Sequence, residues 1–178
     1  MRIILLFVLL TNFLVVNAQQ NQRLRDSILK YQFLNPNLAI EYGMDYVELR
    51  SGDKPDQEMV NTYSKIGEIL LYMELYSSSL DFFNSALRLL NSSRDKSNRE
   101  NLYSSNNPPW VILNIGNIYF NNRNYKKALE KFEEAKGIFK IEQDLIDKKN
   151  GLYTSNINIG LVYGALGEFD KQEEIYYK

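Results

Sequence analysis

The chain has 178 residues and an apolar content of 44%, enough for a folded core, which excludes a disordered or low-complexity polypeptide. Lys and Arg number 21 against 22 Asp and Glu, so there is no single-sign field that would draw the protein to nucleic acid or to an anionic membrane. Cys and His are both absent, which excludes a disulfide framework, a lipid-accepting Cys, zinc sites of the His and Cys type and every Ser-His-Asp or Cys-His arrangement.

Residues 1–18 carry Arg2, then the apolar run Ile3 to Val16 interrupted by Thr11 and Asn12, then Val16-Asn17-Ala18. That order is the pattern of a secretory signal peptide cleaved after Ala18. The run is short for a membrane span, which takes about 20 residues, so an uncleaved anchor is the weaker alternative, and after cleavage the mature protein is expected to lack stable membrane insertion. Export with neither Cys nor disulfides suits a periplasmic or secreted bacterial protein, of formal charge −2 once Arg2 is removed, with 20 basic and 22 acidic residues remaining.

Residues 19–59 read as two helices. Leu24, Ile28 and Tyr31 share one face of the first, and Asn35-Pro36 is an N-cap followed by Pro in the first turn of the second. Leu38, Ala39, Tyr42, Tyr46 and Leu49 then recur at helical spacing. This segment is expected to be a cap or a divergent first repeat.

From Val60 onward a pattern returns three times. Ile66-Gly67-Glu68, Ile115-Gly116-Asn117 and Ile159-Gly160-Leu161 each place an apolar residue before Gly, with Leu70, Tyr119 and Tyr163 three positions after it. After Gly116 the offsets nine, twelve, sixteen and nineteen hold Tyr125, Ala128, Phe132 and Ala135. After Gly67 they hold Tyr76, Ser79, Phe83 and Ala86, and after Gly160 Phe169, Gln172 and Tyr176 occupy the first three. Gly and Ala let two helices approach closely while the aromatics fill the space beside them, so Gly67, Ala86, Gly116, Tyr119, Ala128, Phe132, Ala135, Gly160 and Tyr163 are the expected packing residues.

These residues resemble the tetratricopeptide repeat, with its small residue at position eight, aromatic at eleven, Ala at twenty, aromatic at twenty-four and Ala at twenty-seven. The resemblance implies an all-α fold, an α-solenoid of antiparallel helix pairs with three to four repeats. It divides the chain into a repeat with a following loop at 60–108, a second at 109–152 and an incomplete third at 153–178. The Gly residues stand 49 and 44 positions apart, longer than the 34-residue module. The excess is expected in a polar loop, Asn91 to Asn107, and in a lengthened helix through Phe139, Ile141, Leu145 and Ile146 that ends at the turn Asp147-Lys148-Lys149-Asn150-Gly151. Repeats of this length are similar to those in extracytoplasmic regions of bacterial sensor kinases and transcriptional regulators.

Catalytic readings are weak. Glu133-Glu134 and Glu173-Glu174 are adjacent pairs that point about 100° apart on a helix, as solvated faces do, and nothing near Asp144 and Asp147 has calcium-loop spacing. Gly164-Ala165-Leu166-Gly167 lacks the Lys of a phosphate loop and reads as a helix-to-helix turn. No enzyme activity, no cofactor and no metal are expected.

The resemblance implies that the first helix of each repeat lines a concave groove. Carried over by position, the candidates are Ser64, Glu68, Leu71 and Tyr72, then Trp110, Leu113, Asn117, Phe120 and Asn121, then Ile157 and Leu161. Rings beside amides suit capture of a peptide or protein segment, although Trp110 and Phe120 equally suit packing between repeats. Asn114 and Asn158 recur at one module position and fit a structural role as well as a binding one. The last residues stop inside a helix, before the final Ala position. That gives two further expectations: self-association through the uncovered face of the last repeat, and a sensory part or truncated relative of a membrane signalling protein as the alternative function.

Overall fold

The computed structural model describes residues 2–92, 108–142 and 144–177, and every regular element among them is a helix. In chain order these are α1 (Arg2–Tyr31), α2 (Pro36–Leu49), α3 (Gln57–Tyr72), α4 (Tyr76–Ser92), α5 (Pro108–Asn121), α6 (Tyr125–Lys140), α7 (Leu145–Ala165) and α8 (Phe169–Tyr176). They form two compact units, Met1–Lys54 and Pro55–Lys178.

The first unit is the α1–α2 hairpin. Helix α2 starts as the Asn35-Pro36 pair dictates: the Asn35 side chain accepts the Leu38 N–H at 3.2 Å, and Pro36 occupies the first turn, where no backbone donor is needed. Ile28 of α1 and Ala39 and Tyr46 of α2 are buried, and Tyr31 stacks on Tyr42 with ring centroids 5.8 Å apart. Helix α1 is continuous through Ala18. Among the described residues no helix is long and apolar enough to cross a membrane.

The second unit is a run of three hairpins, α3–α4, α5–α6 and α7–α8, each packed on the next, as an α-solenoid requires. All three close in the same way. The residue seven positions after the repeat Gly adopts a left-handed backbone: Glu74 at φ 60°, Arg123 at φ 56° and Gly167 at φ 76°. The next N–H then bonds back five residues, Leu75 to Leu70 at 2.9 Å, Asn124 to Tyr119 at 2.8 Å and Glu168 to Tyr163 at 2.9 Å, which satisfies a carbonyl at the end of each first helix. Only the third turn uses Gly, the residue that adopts this backbone at no steric cost. Arg123→Gly is therefore expected to stabilise the fold by about 1 kcal/mol, read as a higher denaturation midpoint at unchanged slope.

The recurring Gly residues occupy equivalent contacts. A Cβ built on Gly67 would lie 2.8 Å from the Phe83 ring, on Gly116 2.4 Å from Phe132, and on Gly160 2.2 Å from Tyr176, in each case the aromatic sixteen residues later. Ala86, Ala128 and Ala135 are fully buried, and Tyr119 and Tyr163 are half-buried. Ser79, which stands where the middle repeat has Ala128, is also buried and donates its hydroxyl to the Gly67 carbonyl at 2.7 Å. The polar substitution is thus paired, which offsets the cost of burying its hydroxyl.

The junction between the second and third pairs differs from expectation. The lengthened helix stops at Lys140, and the predicted turn at 147–151 lies inside α7. Asp144 is the cause: its side chain accepts the N–H groups of Ile146 at 2.8 Å and Asp147 at 2.9 Å, so it opens a new helix where the sequence suggested one ending. Gly151 makes no turn. It is buried, and a Cβ there would sit 2.2 Å from the Phe139 ring, so Gly lets α7 lie directly on α6. The first helices of the three pairs begin at Gln57, Pro108 and Leu145. The expected loop at Asn91 to Asn107 falls, from residue 93 onward, outside the described residues; α4 continues through Ser92.

Candidate functional site

The seams between pairs place the candidate residues. Asn158, two positions before Gly160, donates its side-chain N–H to the Asn117 side-chain oxygen, one position after Gly116, at 3.3 Å. This bond joins α5 to α7. Glu68, one position after Gly67, and Asn114, two before Gly116, hold the corresponding repeat positions on α3 and α5. Glu68 is held on its own helix by Lys65. By repeat position, polar side chains thus form a row over the first helices of the three pairs, bonded at the α5–α7 seam.

Beside this row stand residues five positions after Gly: Tyr72, with 83% of its surface exposed, and Asn121, also exposed. They share a helix face with the polar row by the i, i+4 rule. Leu161 holds on α7 the repeat position that Glu68 and Asn117 hold on α3 and α5, and it is exposed as well. Sequence reasoning missed Ile146 and Tyr153, which are 71% and 69% exposed. With Ile157 and Leu161 they form a line on α7 at intervals of seven, four and four, a helical spacing that was present in the sequence. They went unnoticed because Ile146 was assigned to the preceding helix.

Other candidates leave the surface. Leu113 is 2% exposed and belongs to the core of Ile112, Ala128, Phe132, Phe139, Ile159 and Val162, so it cannot line a groove. Ser64 is buried likewise, with no hydrogen-bond partner for its hydroxyl. Both lie three positions before the repeat Gly, and residues three apart on a helix share a face, so they point where the Gly points. Trp110 is half-buried and meets Phe139, on the other helix of its own hairpin, edge to face at 5.0 Å, against the core of that hairpin. Phe120 is half-buried against Tyr125, with centroids 5.6 Å apart, inside its own hairpin. Leu71 packs against the cluster of Phe83, Val111, Ile115 and Ile118.

Three carboxylates near the α6–α7 junction make local contacts within the scaffold. Glu134 pairs with Lys131 at 2.7 Å, Asp144 caps α7, and Glu142 accepts the Asp144 N–H at 3.1 Å. The Asp147 carboxyl is raised above its usual range by partial burial and then by the neighbouring Asp144 and Glu142 charges. Among the described residues no group of three His, Cys, Asp or Glu side chains is placed to hold a metal ion.

One hairpin carries the full repeat signature, with Gly116, Tyr119, Ala128, Phe132 and Ala135 all in contact positions. Residues 111–140 match the tetratricopeptide repeat. That window covers most of α5 and all of α6. Solved structures of similar fold include BtubC from P. vanneervenii, at TM-score 0.65 and 18% identity over 78% of this chain. The chain spans 53% of that protein's length. Two structures of MamA align at TM-scores of 0.61 and 0.60, with 18% and 20% identity, over 94% and 92% of this chain and 80% and 74% of theirs. Among curated proteins none matches the sequence. These likenesses establish a tetratricopeptide-type helical fold, an architecture that offers surfaces for protein–protein contact.

Proposed function

We propose that the chain is an exported, non-catalytic scaffold that captures an extended peptide or protein segment on the face formed by α3, α5 and α7. The observation that carries this reading is the Asn158–Asn117 bond across the α5–α7 seam, because it ties amide side chains into a row that runs from one tetratricopeptide-type pair to the next. An amide side chain offers both a donor and an acceptor, as a peptide backbone does, and the exposed rings of Tyr72 and Tyr153 supply contact area at low cost in side-chain freedom. Export is supported by the order Arg2, apolar run and Val16-Asn17-Ala18.

The reading is tested with protein recovered outside the cytoplasm of the expressing cell. Its mass should place the N-terminus at Gln19; a chain still beginning at Met1 overturns export. On a peptide array, Tyr72→Ala and Asn121→Ala should each weaken binding by roughly tenfold, a loss of about 1.4 kcal/mol, with the denaturation midpoint unchanged because both side chains are exposed. Binding indifferent to both substitutions overturns the assignment of this face.

A second reading is favoured by α8. Phe169 is 67% exposed, whereas Tyr76 and Tyr125 at the same repeat offset are half-buried, Tyr76 against Phe83, Val111, Ile115 and Ile118. The α7–α8 pair therefore presents, uncovered, a surface of the kind that the earlier pairs bury, and self-association through it is a further proposed property.

A further inference from the structure

Along α7, Tyr153, Asn156, Ile157 and Gly160 follow one another at i, i+3, i+4 and i+7 and so share one helix face. Gly160 fixes where that face looks, because a Cβ built there would meet the Tyr176 ring of α8. It is the face that the second helix of a pair covers.

In the two preceding pairs the cover runs the length of the first helix. Helices α4 and α6 have 17 and 16 residues, and beyond the ring on Gly67 or Gly116 they continue with Ala86 and Leu90, or Ala135 and Phe139, nineteen and twenty-three positions after the Gly. Val60, seven positions before Gly67, is buried in one cluster with Ala86 and Leu90. Leu113, three before Gly116, shares a core with Ala135 and Phe139, and Pro109, seven before it, is buried too.

Helix α8 has 8 residues and reaches as far as Tyr176. Tyr153, the counterpart of Val60 and Pro109, is therefore 69% exposed, and Tyr176 is 46% exposed although Phe83 and Phe132 at its position are buried. The first half of α7 keeps open a seat of the kind that a helix fills in the other pairs.

We infer that this seat takes a helix from a partner protein, lying antiparallel to α7 in line with α8. The two complete pairs give its chemistry: an Ala, followed four positions later by Leu or Phe, as in Ala86–Leu90 and Ala135–Phe139. The small residue lets the backbones approach, and the large one fills the space beyond it. An intact second copy does not supply such a helix from α4 or α6, because its Ala86, Leu90, Ala135 and Phe139 are all buried in their own pairs.

The test uses the full chain and, as probe, a capped and labelled peptide with the sequence of α6, Tyr125–Lys140, followed by fluorescence anisotropy. Saturable binding is expected, weakened about tenfold or more by Tyr153→Glu in the chain and by Ala135→Leu or Phe139→Ala in the peptide. Tyr153 is exposed, so its variant should keep the denaturation midpoint of the unaltered protein. Tyr153 also figures in the peptide-capture reading above, and Tyr72→Ala separates the two: it should leave probe binding as it was. A loss in Tyr72→Ala equal to that in Tyr153→Glu puts the probe on the capture face and overturns the inference. No binding, or binding indifferent to Tyr153→Glu, overturns it as well. Sedimentation that shows the chain self-associating, and Tyr153→Glu abolishing this, gives the seat to a second copy and overturns the partner assignment.

Discussion

Phe139→Ala is expected to destabilise the second unit by about 3–5 kcal/mol, the largest effect of any single truncation considered. The Phe139 ring is fully buried, meets Trp110 edge to face at 5.0 Å, and fills the space that Gly151 leaves on α7. Its removal opens a cavity bounded by three helices, which cannot collapse without moving α7 as a whole. Chemical denaturation followed by far-ultraviolet circular dichroism measures the loss. A change below about 1 kcal/mol would mean that the α6–α7 contact is looser than the Gly151 geometry requires.

Gly116→Leu and Gly137→Ala form a matched pair with opposite signs. At Gly116 even a Cβ would lie 2.4 Å from Phe132, so a Leu must push apart α5 and α6, at a cost of about 1–3 kcal/mol and more if the hairpin cannot shift. Gly137 also lies within a helix, but a Cβ there meets nothing within 4 Å. Ala at that position should stabilise by about 0.5–1 kcal/mol, since only the helix propensity of Gly is being relieved. Midpoints that move in the same direction for both variants would contradict the distinction between a packing Gly and a surface Gly.

Much of the fold was legible because close helix packing leaves its mark on residue size. Gly67, Gly116 and Gly160 can each be found by eye, and the aromatic sixteen residues on names the partner ring. Asn35-Pro36 was readable for an equally local reason, since a cap bonds within four residues of itself. The α6–α7 junction was not, because Asp147-Lys148-Lys149-Asn150-Gly151 has turn-like composition while the residue that decides the helix start, Asp144, acts through one side-chain oxygen. Composition cannot separate a Gly that turns the chain from one that lets a neighbouring ring approach.

The candidate site was legible in part. Positions one and five after each Gly reach the surface row, as Asn117, Tyr72 and Asn121 show. Those three before it, Leu113 and Ser64, are interior, although the module position had assigned them to the groove. The error is one of rotation: on a helix a three-residue step returns to nearly the same side, and the Gly already marks that side as the buried one.

Each hairpin of the second unit is sealed by a bond between residues only five apart, and each bears its left-handed residue at the same count from its Gly. Such a design is indifferent to how many hairpins precede or follow. Duplication or deletion of one whole hairpin would carry its own closure along and ask no new geometry of its neighbours, so lengthening by complete modules is the change to which this architecture offers least resistance.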